Sequence, residues 1–321
     1  MVFVNQGRHI TSEGVLSAWT YGGAISGFAI AGGNHHDAWC GGCGTGVWYH
    51  FNDIWSISLT TDSNAVDSGG SELRSGFLAG GVSGVTHSYT AGGSGWVTSN
   101  QISRFANANP GAGSSDVGDL TPTPPLRGVG VSSIGNGHGY FVDNSNVQKY
   151  TLASSGNASS VATLSNDHGP YVTSSASDGT NNYGYVAGGQ ENTSDRHVIS
   201  RFSFDNEATN NDVGDLASSL NGQSLCGGSS ETNGYSFGLG NIFRYSFSSS
   251  SSGPDVGNLI NSNTSRGSGF SSTTHSYASG GGVHETHMEK FAHASDSSST
   301  FVGNLGTGQT TNRTGHVSTH Y

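Results

Sequence analysis

The phrase Asp-Val-Gly-Asp-Leu stands at 116–120 and again at 212–216, with a near copy, Asp-Val-Gly-Asn-Leu, at 255–259 and a more altered one, Phe-Val-Gly-Asn-Leu, at 301–305. A phrase that returns at long, similar intervals marks a repeat architecture, in which stacked units together bury faces that none could hide alone. A second phrase keeps the same beat: GFAIAGG from Gly27, SYTAGG from Ser88, GYFVDN from Gly139, GYVAGG from Gly184, GYSFGLG from Gly234 and SYASGG from Ser276. Each is an aromatic residue, a β-prone run and usually a glycine pair, which predicts a strand ending in a sharp turn.

A third phrase follows each of these: IWSI from Ile54, ISRF from Ile102, VQKY from Val147, ISRF from Ile199, IFRY from Ile242 and MEKF from Met288. Alternation of apolar and polar residues predicts a half-buried strand. In the Asp-Val-Gly-Asp-Leu strand, valine and leucine bury one face, glycine permits close packing or a kink, and the aspartates sit where a basic group could meet them. A turn often carrying Arg and Gly then leads to a fourth strand such as 128–133, GVGVSS. The unit is four short antiparallel strands in roughly 40–60 residues, the size of one propeller blade.

The ends set the expected count. Residues 312–321, NRTGHVSTHY, match a fourth strand and the opening of the next glycine-pair strand, while Val2–Val4 and Arg8–Ile10 read as two outer strands. Joined, they make one composite blade and remove the free sheet edges that invite aggregation. Six internal units plus the composite predict a single all-β domain over 1–321: a seven-bladed propeller of four-stranded antiparallel blades, with six blades as the alternative.

Composition agrees with a glycine-punctuated β array. The chain has 52 glycines in 321 residues, which opposes long helices, and 10% aromatic residues in regular columns, which opposes disorder. A net charge of −11 with eleven Lys plus Arg argues against a phosphate-binding surface and so against nucleic acid as a partner. No run of about twenty apolar residues predicts a membrane span. The opening MVFVNQGRHITSEG lacks the basic and apolar regions of a secretory signal, and three cysteines suit a reducing compartment. Sequons begin at Asn157, Asn192, Asn263 and Asn312, as expected by chance in a chain so rich in Asn, Ser and Thr.

Nine of the eleven positive charges fall in two columns: Arg104, Lys149, Arg201, Arg244 and Lys290 before the aromatic of the third phrase, and Arg74, Arg127, Arg266 and Arg313 at the turn before the next unit. With Asp116, Asp212 and Asp255 they are expected to pair within or between blades. His87, His138 and His275, two residues before the aromatic of the glycine-pair strand, form a further structural column, with His320 near the last copy.

GYVAGG, HVISRFSF, DVGDL and SSLNG in succession resemble the kelch repeat over almost the whole chain. The late tryptophan of a kelch unit is absent, and Val-Gly-Asp/Asn-Leu stands in its place. The Gly/Ser/Asn-rich style also resembles propellers of tailed-phage virions. That likeness implies a virion or fibre component. Some kelch-like propellers are copper radical oxidases, but their Tyr/Cys and His set has no placement here.

The one irregular insertion, NHHDAWCGGCGTGVWYHFND at 34–53, gathers His35, His36, Asp37, Cys40, Cys43 and His50. A zinc-like site on His35, His36, Cys40 and Cys43, a Cys40–Cys43 disulfide and a plain loop are all compatible with that spacing. Beyond this loop metal, no cofactor is expected. Trp39, Trp48, Tyr49 and also Trp96 are candidates for a binding surface, since exposed aromatics suit sugar faces and protein partners; for Trp39, Trp48 and Tyr49 the alternative is that they plug the top of the first blade. His284 and His287 could ligate a metal only with help from elsewhere. Cys226 reads as a small buried residue, and no isolated acid pair suggests glycoside hydrolysis.

The function expected is non-enzymatic: a structural or adhesive virion protein of a tailed phage, made in the host cytoplasm. Its loops would bind other virion or assembly proteins, a second copy of itself, or a host-surface glycan. An extracellular bacterial propeller lectin and a metalloenzyme using the 34–53 loop are the alternatives.

Overall fold

The strands form where β-branched and aromatic residues alternate with Ser and Gly, and they end at glycines and Asn/Asp turns. The computed structural model describes residues 3–5, 8–10, 16–19, 26–36, 47–50, 53–59, 61–71, 80–93, 100–121, 128–165, 168, 174–191, 194–195, 197–217, 225–249, 252–261, 268–279, 286–305 and 314–317. Five sheets are four-stranded, antiparallel and built from contiguous chain. Blade 1 comprises Gly80–Ser83, His87–Ala91, Gln101–Ala106 and Ser115–Asp119. Blade 2 comprises Gly128–Ser133, His138–Asp143, Asn146–Thr151 and Ser159–Thr163. In blade 3 the strands are Ser174–Asp178, Tyr183–Ala187, Val198–Ser203 and Thr209–Asp215. Blade 4 has Cys226–Ser229, Asn233–Gly238, Asn241–Ser246 and Asp255–Asn258, and blade 5 has Ser268–Ser271, His275–Ser279, His287–Ala292 and Thr300–Asn304.

A closing sheet draws on both halves of the chain. Thr314–Val317 pairs with Ser26–His36, which pairs in turn with Asp53–Ser58 and that with Val66–Ser71; Val47–His50 adds a fifth strand beside the far end of Ser26–His36. The first strands lie side by side in a ring, blade 1 through blade 5, and Thr314–Val317 touches the first strands of both blade 5 and blade 1. The arrangement is a β-propeller.

The expected count is corrected. In place of seven blades, or six, the structure has five four-stranded blades, with the ring completed by the five-stranded closing sheet. The pairing explains the error. The strand after each Asp-Val-Gly-Asp-Leu phrase, such as Gly128–Ser133, does not belong to the preceding unit; it pairs with the next glycine-pair strand, His138–Asp143. The C-terminal strand therefore completes the sheet of the first glycine-pair phrase instead of founding another. Val2–Val4 and Arg8–Ile10 are expected as its outer strands; instead Phe3–Asn5 pairs with Arg8–Ile10, and Arg8–Ile10 with Leu16–Trp19, in a separate three-stranded sheet.

First strands approach backbone to backbone. A Cβ on Gly130 would lie 2.2 Å from Gly81 O, one on Gly227 2.1 Å from Ser175 O, and one on Gly269 2.3 Å from Gly227 O. Only glycine permits that approach. Serines bridge the same strands: Ser83, Ser177 and Ser229 each donate a backbone N–H, at 2.9 Å, to the hydroxyl of Ser132, Ser229 and Ser271 respectively. Further out, each seam between blades is filled by aromatic and aliphatic side chains. Between blades 3 and 4 these include Tyr185, Ile199, Leu216, Phe243 and Tyr245, all buried. Among the described residues no helix is long and apolar enough to cross a membrane.

Candidate functional site

The repeated chemistry lies at the seams between blades. The tyrosine of each second strand is buried, and its hydroxyl donates to a carbonyl at the end of the next blade's third strand. Tyr140 donates to Phe204 at 3.5 Å, Tyr185 to Phe247 at 3.3 Å, Tyr235 to His293 at 3.5 Å and Tyr277 to Leu59 at 3.2 Å; Tyr89 bonds Leu152 in the same way. Burial pushes all five phenols up from their ordinary range, so they stay protonated donors.

The cation column crosses the same seams. Lys149 meets Glu207 at 2.6 Å, Arg244 meets Asp296 at 2.5 Å and Lys290 meets Asp62 at 2.5 Å, in each case an acid in the loop between the third and fourth strands of the next sheet. Arg201 stacks on Tyr183, 4.6 Å from the ring centroid, and reaches the Tyr185 hydroxyl at 3.5 Å, whereas Arg104 stands opposite Tyr89 in the strand register. Asp116, Asp212 and Asp255 do not meet these cations. Each accepts the N–H of the glycine two residues on, at Gly118 (3.1 Å), Gly214 (3.2 Å) and Gly257 (3.2 Å). Asp67 does the same for Gly69 at 2.8 Å, which makes Asp-Ser-Gly at 67–69 a degraded copy of the phrase.

The capped turn is a β-bulge. Ile102 faces Gly118 but Ser103 faces Asp116, so Val117 is an extra residue and turns inward, 7% exposed. The bulge presents the next residue to the following blade. Asp119 N–H donates to Asn157 Oδ1 at 3.0 Å and its carbonyl accepts from Ala158 at 2.8 Å. Asn258 is held likewise by Ser298 Oγ (3.2 Å) and Ser299 N–H (2.9 Å), and Asn304 by Asn64 Oδ1 (2.9 Å) and Ala65 N–H (2.9 Å). The closing leucines, Leu120, Leu216, Leu259 and Leu305, are all buried. The phrase is thus a blade-to-blade latch.

Histidines are built into this framework. Burial first, and then the neighbouring cation of the third strand, lowers the pKa of His87, His138 and His275. His293 stacks on Tyr235 at 5.1 Å, contacts Ser276 Oγ at 2.9 Å, and is pushed down to about 4 by burial. His168, buried, donates from Nδ1 to the Gly188 carbonyl at 2.8 Å, so in the neutral ring Nε2 accepts from Ser200 Oγ at 2.9 Å. Cys226 is buried in blade 4 and takes part in no disulfide.

Because the same bonds recur from seam to seam, the blades are related by rotation and their corresponding ends share a face. The first-to-second and third-to-fourth turns lie at the latch end; the second-to-third connections and the exits of the fourth strands lie at the other. The insertion belongs to that open end. Ser26–His36 runs past its sheet and pairs there with Val47–His50, placing His35 opposite Trp48, His36 opposite Val47 and Asn34 opposite Tyr49 in the backbone register. A further small hairpin, Gln190–Glu191 with Ser194–Asp195, occupies the equivalent connection of blade 3. Trp39, Cys40, Cys43, Trp96, His284, His320, Arg74, Arg127, Arg266 and Arg313 lie outside the described residues. Among the described residues no group of three or more His, Cys, Asp or Glu side chains gathers around a metal position.

Sequence reasoning missed the acids. Glu207, Asp296 and Asp62 each stand five residues after the third-strand aromatic or its aliphatic equivalent (Phe202, Phe291, Ile57), a fixed offset that was there to be read. Neither the scan against protein-family models nor the search of curated proteins finds a match for this chain.

Proposed function

We propose that this propeller is a non-enzymatic structural or adhesive protein, kelch-like in its repeat and of the tailed-phage virion type, that binds neighbouring subunits or a host-surface glycan through its open end. The observation that carries this reading is the variety of the connections at the open end, set against seams whose bonds repeat from blade to blade. At the latch end, cations, acids, tyrosine hydroxyls and the turn backbone are spent on holding blade to blade. At the open end stand the connections that differ most in length and composition, from the tight Asn144-Ser145 turn to the 34–53 insertion.

By sequence position, Trp39, Trp48, Tyr49 and Trp96 all fall in second-to-third connections. A rigid ring with varied, aromatic-bearing connections on one face suits recognition of sugar faces or protein surfaces, where aromatics dominate the contact energy. A glycan array with the full chain is the test. Binding by the wild type and its loss in Trp39→Ala or Trp48→Ala supports adhesion through the insertion; mass spectrometry of purified particles tests the virion assignment. A chain absent from particles and blind to glycans overturns the reading.

A further inference from the structure

The seam from the closing sheet to blade 1 lacks most of what the other seams share. Phe28 stands opposite Ser56 in the register, as Tyr89 stands opposite Arg104. The position therefore carries neither the hydroxyl that the five tyrosines donate across their seams nor a third-strand cation. The residue five after the third-strand aromatic of blade 1 is Pro110, where Glu207, Asp296 and Asp62 stand in their sheets, so the acid is missing as well.

The backbone latch is also unmade. Eight residues after the third-strand aromatic or its aliphatic equivalent, Ala158, Gly253, Ser299 and Ala65 each donate an N–H to the fourth strand of the preceding sheet. The acceptors are the carbonyls of Asp119 (2.8 Å), Asp215 (2.7 Å), Asn258 (2.9 Å) and Asn304 (2.9 Å). Their counterpart in blade 1, Gly113, donates instead to Pro110 O at 3.0 Å and closes a 3-10 turn, Pro110–Ala112, inside its own loop. Across from it, Ser68 follows the capping Asp67 where Val117 and Val213 follow Asp116 and Asp212 and are buried. The Ser68 hydroxyl is buried without a hydrogen-bond partner, a cost where a valine side chain contributes stability.

What the seam keeps is shape. A Cβ on Gly70 would lie 1.9 Å from Pro110 O, and one on Gly111 2.6 Å from Ser68 O, so the two backbones meet closely. On its other side the closing sheet is fastened to blade 5 by Lys290 to Asp62, by Tyr277 to the Leu59 carbonyl and by the Ala65 latch. Local opening starts where the fewest interactions must break.

We propose that the ring opens at this one seam: Val66–Ser71 parts from the Pro110–Ala112 turn while the closing sheet stays on blade 5. The propeller thus exchanges between a closed ring and a ring split beside blade 1. The proposal is independent of the open-end reading, since it concerns the seam alone.

The test compares thiol reactivity at one equivalent position in three seams, using Ser68→Cys, Val117→Cys and Val302→Cys in the full chain under native conditions. Val117 and Val302 pack in the seams from blade 1 to blade 2 and from blade 5 to the closing sheet. Peptide mass mapping reads each position apart from the native cysteines. A thiol buried in a seam reacts when that seam opens, so position 68 should react at least tenfold faster than 117 and 302. Adding Phe28→Tyr, which restores the tyrosine of the other seams, should slow position 68 at least threefold and leave the other two unchanged. Equal rates at the three positions overturn the proposal. So does a fast rate at 68 that Phe28→Tyr does not change, because it reports exposure of the bulge alone.

Discussion

Gly118 holds φ at +156°, and a Cβ built on it would lie 2.2 Å from the Gly156 carbonyl oxygen in the next blade, a contact that no rotation of a side chain can relieve. Gly118→Ala should therefore lower unfolding free energy by about 2–4 kcal/mol in urea titrations, by forcing a latch apart. Gly156→Ala, where nothing lies within 4 Å, should stay within about 0.5 kcal/mol. His293 gives a pH-dependent counterpart. Its folded pKa of about 4 lies below the unfolded value of 6.5, so the unfolded chain binds the extra proton and stability falls as pH drops from 6.5 towards 4. The full loss for this one group is about 3 kcal/mol. His293→Gln should flatten that slope without abolishing it, because His87, His138 and His275 are lowered too; thermal melts across pH 4–7 measure it.

Which segments become strands was legible in the sequence, because alternation around Tyr89, Ile102 and Val117 is a local property of the chain. Which strands share a sheet was not read correctly, although the signal was present in turn length. Three residues, Gly84–Thr86, separate the first two strands of blade 1, whereas 120–127 separate its last strand from the next. Short gaps make hairpins and long ones make crossings between sheets, so the phase of the unit was set by connections and not by the strands themselves. The candidate site was legible only as columns. Arg and Asp repeat together in sequence, but the bulge at Val117 turns Asp116 onto its own Gly118, and three of the five third-strand cations meet loop acids instead. For Lys149 and Glu207, side chains 25% and 22% exposed, a double-mutant cycle with Lys149→Met and Glu207→Gln should give a coupling of about 1 kcal/mol, between the values for exposed and buried pairs. A coupling indistinguishable from zero would reduce the charge column to decoration.

The ring as a whole rests on a strand from the far end of the chain. Thr314–Val317 pairs with Ser26–His36 and lies between the first strands of blades 5 and 1, so its removal strips the inner edge of the closing sheet and opens the ring at two neighbours at once. An exposed edge of that kind recruits other chains. A chain ending at Leu305 should melt at lower temperature and associate, as light scattering after size exclusion would show. Adding the peptide NRTGHVSTHY in trans should restore both the melting temperature and the molecular size of the full chain, because the lost interactions are backbone pairing to a strand that still exists. The five contiguous blades keep all four of their strands in the truncated chain, so a loss of stability that the peptide cannot reverse would place the weak point elsewhere. A shortened chain that keeps the size and the melting temperature of the full chain would show that latches and tyrosines hold the ring without the closing strand.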